Sequence, residues 1–259
     1  MKRTIVITGA ASGIGRATAE KLTAEGHRVI GVDLRDVEVV ADLSTPAGRQ
    51  AMAAAVASLA PDGVDSVIAV AGAPAPAPAP RLLAINYFGA VATFELLRPL
   101  LLRSKAPRAV AIVSTASLSE FDPVVVDACL AGDEGAALAL AQGIDPEGGT
   151  GYASSKNALA RWLRRAAISP EWAGSGILLN GVSPGRVYTP MTAGFFASKE
   201  GLAMLDRYTP IALSDCPYGQ PEELAEAIAF LATLQGRYLL GQILYVDGGT
   251  EAISRTDMI

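Results

Sequence analysis

The run TIVITGAASGIG, residues 4–15, constrains this chain more than any other stretch. A short β-branched apolar strand, Thr4–Thr8, meets glycines at 9, 13 and 15. A helical pattern follows, carrying Ile14, Ala17 and Leu22 on one face and closing at Gly26. Gly9 permits a tight turn, Gly13 lets the backbone approach a pyrophosphate, and Gly15 allows helix and strand to pack closely. The helix N-terminus behind the turn offers unpaired N–H groups and a positive dipole end to an anion. Glycine triplets arise easily in a chain with 26 glycines. The position of this one, at the first strand–helix junction, is what points to a dinucleotide phosphate site.

The alternation continues to the end of the chain. Strands are expected at Arg28–Asp33, Val37–Ala41, Ser66–Ala71, Ala109–Ser114, Gly176–Val182 and Gln242–Val246. Helices are expected over 13–25, 47–59, 81–103, 152–172 and 221–234. Short strands separated by helices imply right-handed crossovers, hence one doubly wound α/β domain over 1–259 with a seven-stranded parallel sheet and helices on both faces. Two stretches break the rhythm. Pro74–Pro80 (PAPAPAP) reads as a stiff polyproline-like loop. Residues 120–149 read as a helical insertion, with 127–142 its helix-compatible centre.

Composition excludes several function classes. A net charge of −5 and a pI near 5.0 argue against nucleic acid and anionic membranes as partners, since both select a basic face. The longest uncharged run, Ser66–Pro80, contains four prolines and is too short to span a bilayer. Cys129 and Cys216 make neither a metal spacing nor a disulfide framework, so a cytoplasmic protein with reduced thiols and no metal site is expected. The single histidine, His27, reads as a helix-end residue.

Chemistry must therefore come from other side chains. Asp33 ends the second strand, 18 positions after Gly15, where an acidic residue can accept hydrogen bonds from the adenosine ribose. Its charge disfavours a 2′-phosphate, so NAD is expected rather than NADP, although Arg16 and Arg35 stand nearby. Asp42 is a candidate adenine contact. Tyr152 and Lys156 lie four residues apart on one helix face, and Ser114 ends the strand before them. Open α/β sheets place ligands at strand carboxyl ends, so the glycine turn, Ser114 and Tyr152 should converge there.

These residues, with Asp42-Leu43, Ala71-Gly72, Asn86-Tyr87-Phe88-Gly89, Pro184-Gly185, Thr189 and Asp247-Gly248-Gly249, resemble the short-chain dehydrogenase/reductase family and its Rossmann domain. Val70 departs from the asparagine often found before Ala-Gly. Ser114 and Tyr152 are 38 positions apart, far more than the family's usual spacing. That long segment, with residues 31–49 and the Asn86–Gly89 run, resembles the bacterial 3α-hydroxysteroid dehydrogenase/carbonyl reductase subgroup; coniferyl-alcohol dehydrogenases look similar.

The resemblance implies catalytic roles for Asn86, Ser114, Tyr152 and Lys156. Tyr152 would exchange the proton, its pKa lowered by Lys156 and by oxidised nicotinamide; Ser114 would hold the substrate oxygen; Asn86 would position a relay water. It implies NAD contacts at Gly9, Ser12, Gly13, Ile14, Gly15, Asp33, Asp42, Leu43, Ala71, Gly72, Tyr152, Lys156, Pro184, Gly185, Val187 and Thr189. Ser117 is a second candidate for the serine role. The substrate loop would run over about 189–220, where Met191, Phe195, Phe196, Leu202, Met204, Leu205 and Tyr208 suit a hydrophobic secondary alcohol or its ketone. The family assembles as dimers or tetramers. The insertion precedes a helix commonly used in pairing, so a homodimer through 221–249 is expected. A catalytically silent NAD-binding regulator is the competing reading from another class.

Overall fold

The computed structural model describes residues 2–147, 149–201, 203 and 218–258. Seven parallel strands form one sheet: β1 (Thr4–Thr8), β2 (Arg28–Asp33), β3 (Val39–Val40), β4 (Ser66–Ala69), β5 (Arg108–Ile112), β6 (Leu178–Pro184) and β7 (Ile243–Val246). Their order across it is β3-β2-β1-β4-β5-β6-β7. The order reverses between β1 and β4, which opens a crevice at the strand carboxyl ends.

Strand side chains alternate between two apolar layers, as a period of two requires. Ile5, Ile7, Ile68, Val110, Ile112 and Val182 face one layer, closed by α1 (Gly13–Ala24) and the helix Pro221–Thr233 through Leu22, Leu224 and Ile228. Val6, Val67, Ala109, Ala111 and Leu179 face the other. There α2 (Pro46–Leu59), α4 (Ala90–Leu101) and α7 (Thr150–Ala167) supply Met52, Phe94, Leu97, Leu159 and Leu163. Both faces are covered, so the strands read as apolar runs without solvent-facing alternation.

Several expected boundaries shift. The third strand shrinks from 37–41 to Val39–Val40. The sixth runs Leu178–Pro184 instead of 176–182, because Gly176 has φ +79° and ends the preceding turn. The continuous helix over 81–103 is in fact three pieces: α3 (Ala79–Leu83), a π-helical turn (Ala84–Gly89) and α4. The helix expected over 152–172 ends at Ala167, and Trp172 turns back into the core against Phe94 and Trp162. Between Ser114 and α7 the expected single centre is two helices, α5 (Pro123–Leu130) and α6 (Glu134–Leu140). Asp122 and Asp133 cap their first turns, and Gly132, at φ +78°, separates them. The remaining helices are α8 (Ala193–Phe196), α9 (Pro221–Thr233) and α10 (Thr250–Ser254).

Candidate active site

The glycine turn is built as its spacing requires. Gly9 has φ +73°, and a Cβ there would stand 2.8 Å from the Ala71 nitrogen. A Cβ on Gly15 would stand 2.0 Å from the Gly9 carbonyl oxygen, so only glycine lets α1 begin so close to the turn. Neighbouring strands fasten the turn in place. The Gly9 N–H donates to the Val32 carbonyl at 2.8 Å, and the Ala11 N–H donates to Asp33 Oδ2 at 2.9 Å. Thr8 Oγ1 accepts from the Val70 and Ala71 N–H groups at 3.2 and 3.1 Å. Asp33 thus anchors the turn as well as facing the cleft, a second task its position alone did not announce.

The residues expected to hold NAD, and the four expected to act in catalysis, line one cleft. Gly9, Ser12, Gly13, Ile14, Gly15, Asp33, Asp42 and Leu43 form one end, and Ala71, Gly72, Asn86, Ser114, Tyr152, Lys156, Pro184, Gly185, Val187 and Thr189 complete it. Ser117 does not line it. Its carbonyl accepts from Asn157 Nδ2, a scaffolding contact.

Lys156 is 5 % exposed, and its Nζ donates to the Ile112 carbonyl at 3.0 Å. Burial pushes its pKa down to about 8. Its ammonium lies 5.9 Å from the centroid of the Tyr152 ring. Burial raises the Tyr152 phenol, and the group that opposes the rise is the Ser114 hydroxyl. In the cleft that the chain itself forms, desolvation outweighs that hydrogen bond at the phenol, and the Lys156 ammonium directs one of its N–H donors to a main-chain oxygen. Ser114 also caps the short turn Thr115–Leu118, accepting from the Ala116 N–H at 3.2 Å, which pins it at the end of β5.

Asn86 sits fully buried in the π turn. Its Oδ1 accepts from the Ala73 N–H at 2.8 Å, and its Nδ2 donates to the Ala73 carbonyl and to Ser155 Oγ at 3.1 and 3.2 Å. Ser155 Oγ in turn donates to the Tyr152 carbonyl at 2.7 Å. The Asn86 side chain is thus wholly committed to joining the 70–73 loop to α7. π turns frequently mark functional positions, yet the sequence pattern reads as plain helix there.

At the other end, Asp42 Oδ1 accepts from the Ser44 hydroxyl and N–H at 2.6 and 2.9 Å, and these bonds hold its carboxyl below the usual carboxylate range. Arg16 pairs with Glu20 at 3.6 Å and Arg35 with Asp36 at 3.7 Å, both on the surface. Lys156 is the one Lys or Arg among the described lining residues. Among the described lining residues beside Asp33, none would neutralise a 2′-phosphate.

Thr192 and Ser155 were missed from the sequence. Thr192 Oγ1 donates to the Val187 carbonyl at 2.6 Å and accepts from the Thr189 N–H at 3.0 Å, fixing the Thr189 end of the cleft. Within the expected substrate loop, Phe196 packs against Tyr188 and Tyr218. Met191 lines the cleft, whereas Leu202, Met204, Leu205 and Tyr208 lie outside the described residues. Asp247 Oδ1 and Oδ2 accept from the Gly249 and Glu251 N–H groups, so that motif builds a turn. No helix among the described residues is long and apolar enough to cross a membrane, and no group of His, Cys, Asp and Glu among them is placed to hold a metal.

Comparison with known proteins agrees with this geometry. The family model described as short chain dehydrogenase matches residues 3–126, and the one described as enoyl-(acyl carrier protein) reductase matches 130–251. The chain is 36% identical over 256 residues to a 3-alpha-hydroxysteroid dehydrogenase/carbonyl reductase of Comamonas testosteroni, covering 97% of each chain. It is 31% identical to a cis-4-hydroxycyclohexanecarboxylate dehydrogenase of Sinomonas cyclohexanicum, covering 97% of this chain and 98% of the other. The crystal structure of the 3-alpha-hydroxysteroid dehydrogenase from Pseudomonas sp. B-0831, complexed with NADH, superposes with a TM-score of 0.89 at 38% identity, covering 99% of this chain and 100% of that one. With the glycine turn, the Ser114–Tyr152–Lys156 edge and these matches in agreement over nearly the full length, the chain belongs to the short-chain dehydrogenase/reductase family of oxidoreductases.

Proposed function

We propose that the protein is an NAD(H)-dependent oxidoreductase that interconverts a hydrophobic secondary alcohol and its ketone. The carrying observation is the cleft itself. A phosphate-binding glycine turn, an acidic residue at the ribose position and the Ser114–Tyr152–Lys156 group share one wall-to-wall crevice. The residues present suit NAD: the Gly15 close approach leaves the α1 N-terminus bare for a pyrophosphate, and Asp33 faces a lining whose described cation is Lys156, at the far end. Bound NAD supplies the hydride acceptor or donor, and its oxidised ring supplies a positive charge.

The chain supplies proton handling and orientation. Tyr152 gives a proton to the carbonyl oxygen in reduction and removes one from the hydroxyl in oxidation. Ser114 donates a hydrogen bond to that same oxygen and favours charge developing on it. Lys156, held at the Ile112 carbonyl, keeps a cation behind the phenol. Asn86 holds the 70–73 loop to α7, and with it the spacing between cofactor wall and Tyr152. Gly9, Ser12, Gly13, Ile14 and Gly15 would cradle the phosphates; Asp33, Asp42 and Leu43 the adenosine; and Ala71, Gly72, Pro184, Gly185, Val187 and Thr189 the nicotinamide side.

Two relatives bear names that share a secondary alcohol on a saturated six-membered ring. With apolar Met191 and Pro190 at the cleft mouth, this supports a ring-borne alcohol of steroid or cyclohexanol type. The organisation we adopt is one domain over 1–259 with a helical insertion at about 120–149, in a cytoplasmic homodimer. β7 at the sheet edge and the exposed Phe230 and Tyr238 support pairing through 221–249, and a tetramer in sedimentation would reject it. The functional test is a screen of 3-ketosteroids, cyclic ketones and coniferyl alcohol with NAD(H), read by nicotinamide absorbance. Turnover with the cyclic substrates, lost in Tyr152→Phe with NADH binding retained, is expected. NADH binding without turnover of any substrate would favour a silent regulator.

A further inference from the structure

The loop carrying Asp42, Leu43 and Ser44 is wedged between two elements. A Cβ on Gly48, in the first turn of α2, would stand 2.0 Å from the Asp42 carbonyl oxygen. One on Gly89, closing the π turn, would stand 3.0 Å from that of Leu43. Arg49 fills the joint, its side chain 6 % exposed. Its Nε donates to the Leu43 carbonyl at 2.8 Å, and its Nη2 to the Ala84 and Ser44 carbonyls at 2.8 and 3.3 Å. The guanidinium edge that remains is taken by Glu134 of α6, 85 residues on, through a two-point contact of 2.7 and 2.8 Å. Leu43 and Ser44 line the cleft, and Ala84 opens the turn that brings Ile85 and Asn86 to it.

We infer that Glu134 is a positioning residue for nucleotide binding, acting through Arg49 on the carbonyls of Leu43, Ser44 and Ala84. The inference rests on the dinucleotide reading above. A planar guanidinium can meet a carboxylate two-fold and still aim donors at main-chain oxygens, which an ammonium cannot do. Removing the carboxylate leaves a buried cation uncompensated. Main-chain carbonyls alone then hold the guanidinium, with no carboxylate to fix its plane. A guanidinium free to turn toward water weakens its bonds to the Leu43 and Ala84 carbonyls and disturbs the adenosine wall. The helical segment between Ser114 and Tyr152 thereby takes part in cofactor affinity from outside the cleft.

The test is binding of ADP-ribose, which carries the adenosine half without nicotinamide, to wild type, Glu134→Gln, Arg49→Lys and the double variant, by calorimetry alongside NADH. Weakening by roughly 2–30-fold is expected for each single variant, the range over which residues away from a ligand modulate its affinity. The double variant should be no weaker than Arg49→Lys, because the pair acts as one unit. Steady-state loss should fall on KM for NAD more than on kcat. ADP-ribose affinity unchanged in Glu134→Gln, with only a lowered melting temperature, overturns the inference. If Glu134→Gln does not fold, Glu134→Asp keeps the charge but shortens its reach, and unchanged affinity there overturns it equally. Wild type that binds neither ADP-ribose nor NADH rejects the dinucleotide reading itself, and the inference with it.

Discussion

Lys156→Met isolates the energetic consequence of burying an ammonium in the cleft. The lysine's pKa falls from 10.5 to about 8 because desolvation disfavours its charged form. Below about pH 8 the folded chain holds that charge at a cost, while the unfolded chain holds it freely. Between about pH 8 and 10.5 the unfolded state binds the extra proton, so stability rises with pH across that window. The full difference is about 3 kcal/mol, and roughly 1 kcal/mol of it is recovered between about pH 7 and pH 9. Methionine, similar in length and uncharged, carries no such dependence. The hydrogen bond to the Ile112 carbonyl is lost as well, which offsets about 1.5–3 kcal/mol of the gain at neutral pH. The slope against pH is therefore a cleaner quantity than either absolute stability. Urea unfolding of cofactor-free wild type and variant at several pH values measures it. Wild type should gain on Lys156→Met by roughly 1 kcal/mol as pH rises from about 7 to 9. A constant gap would mean that the ammonium is not desolvated and that the reasoning fails. The variant should also lose turnover, because no cation remains behind the phenol.

Three further outcomes follow from the same geometry. Gly15→Ala sets a methyl 2.0 Å from the Gly9 carbonyl oxygen, so unfolding stability should fall by about 1–3 kcal/mol and NADH binding should weaken in calorimetry. Asp33→Asn removes the charge that would face a 2′-phosphate. The NADP-to-NAD ratio of kcat/KM should rise at least about tenfold, from a repulsion of about 4 kcal/mol at short range before screening; an unchanged ratio would place the discrimination elsewhere. Ser114→Ala should lower kcat by about 10²–10³-fold with NADH affinity nearly intact, as for other single donors to a developing oxyanion. A fall in NADH affinity alone would show that the hydroxyl serves the turn at Thr115–Leu118 and not the reaction.

Much of the fold was legible because its determinants are local. β1, β2 and the helices α1, α2 and α9 carry periodicities that survive without tertiary help, and their ends fell within a few residues of expectation. Val39–Val40 fell short because only two residues pair with β2 at the sheet edge. The π turn was invisible because a change from α to π register leaves no mark in the apolar periodicity by which a helix is recognised. What bends its residues from α register is the bond from Asn86 to Ala73 and the approach of Gly89 to Leu43, both made across the fold. The Tyr152 environment is only partly legible for a related reason. Spacing sets Lys156 one turn away, but burial and the Ile112 carbonyl, contributed by another element, set the surroundings of both groups.

The amino-acid order by itself determined the winding of the sheet, the glycine turn and the edge at which Ser114 and Tyr152 meet. Each follows from short-range rules: strand alternation, glycine at fixed offsets, and two side chains one helical turn apart. Only the tertiary structure decided the balance of charge in the cleft and the Arg49–Glu134 pair behind the Leu43 and Ser44 carbonyls. Desolvation depends on everything packed around a group. A contact between residues 85 positions apart leaves no periodic trace in the chain that makes it.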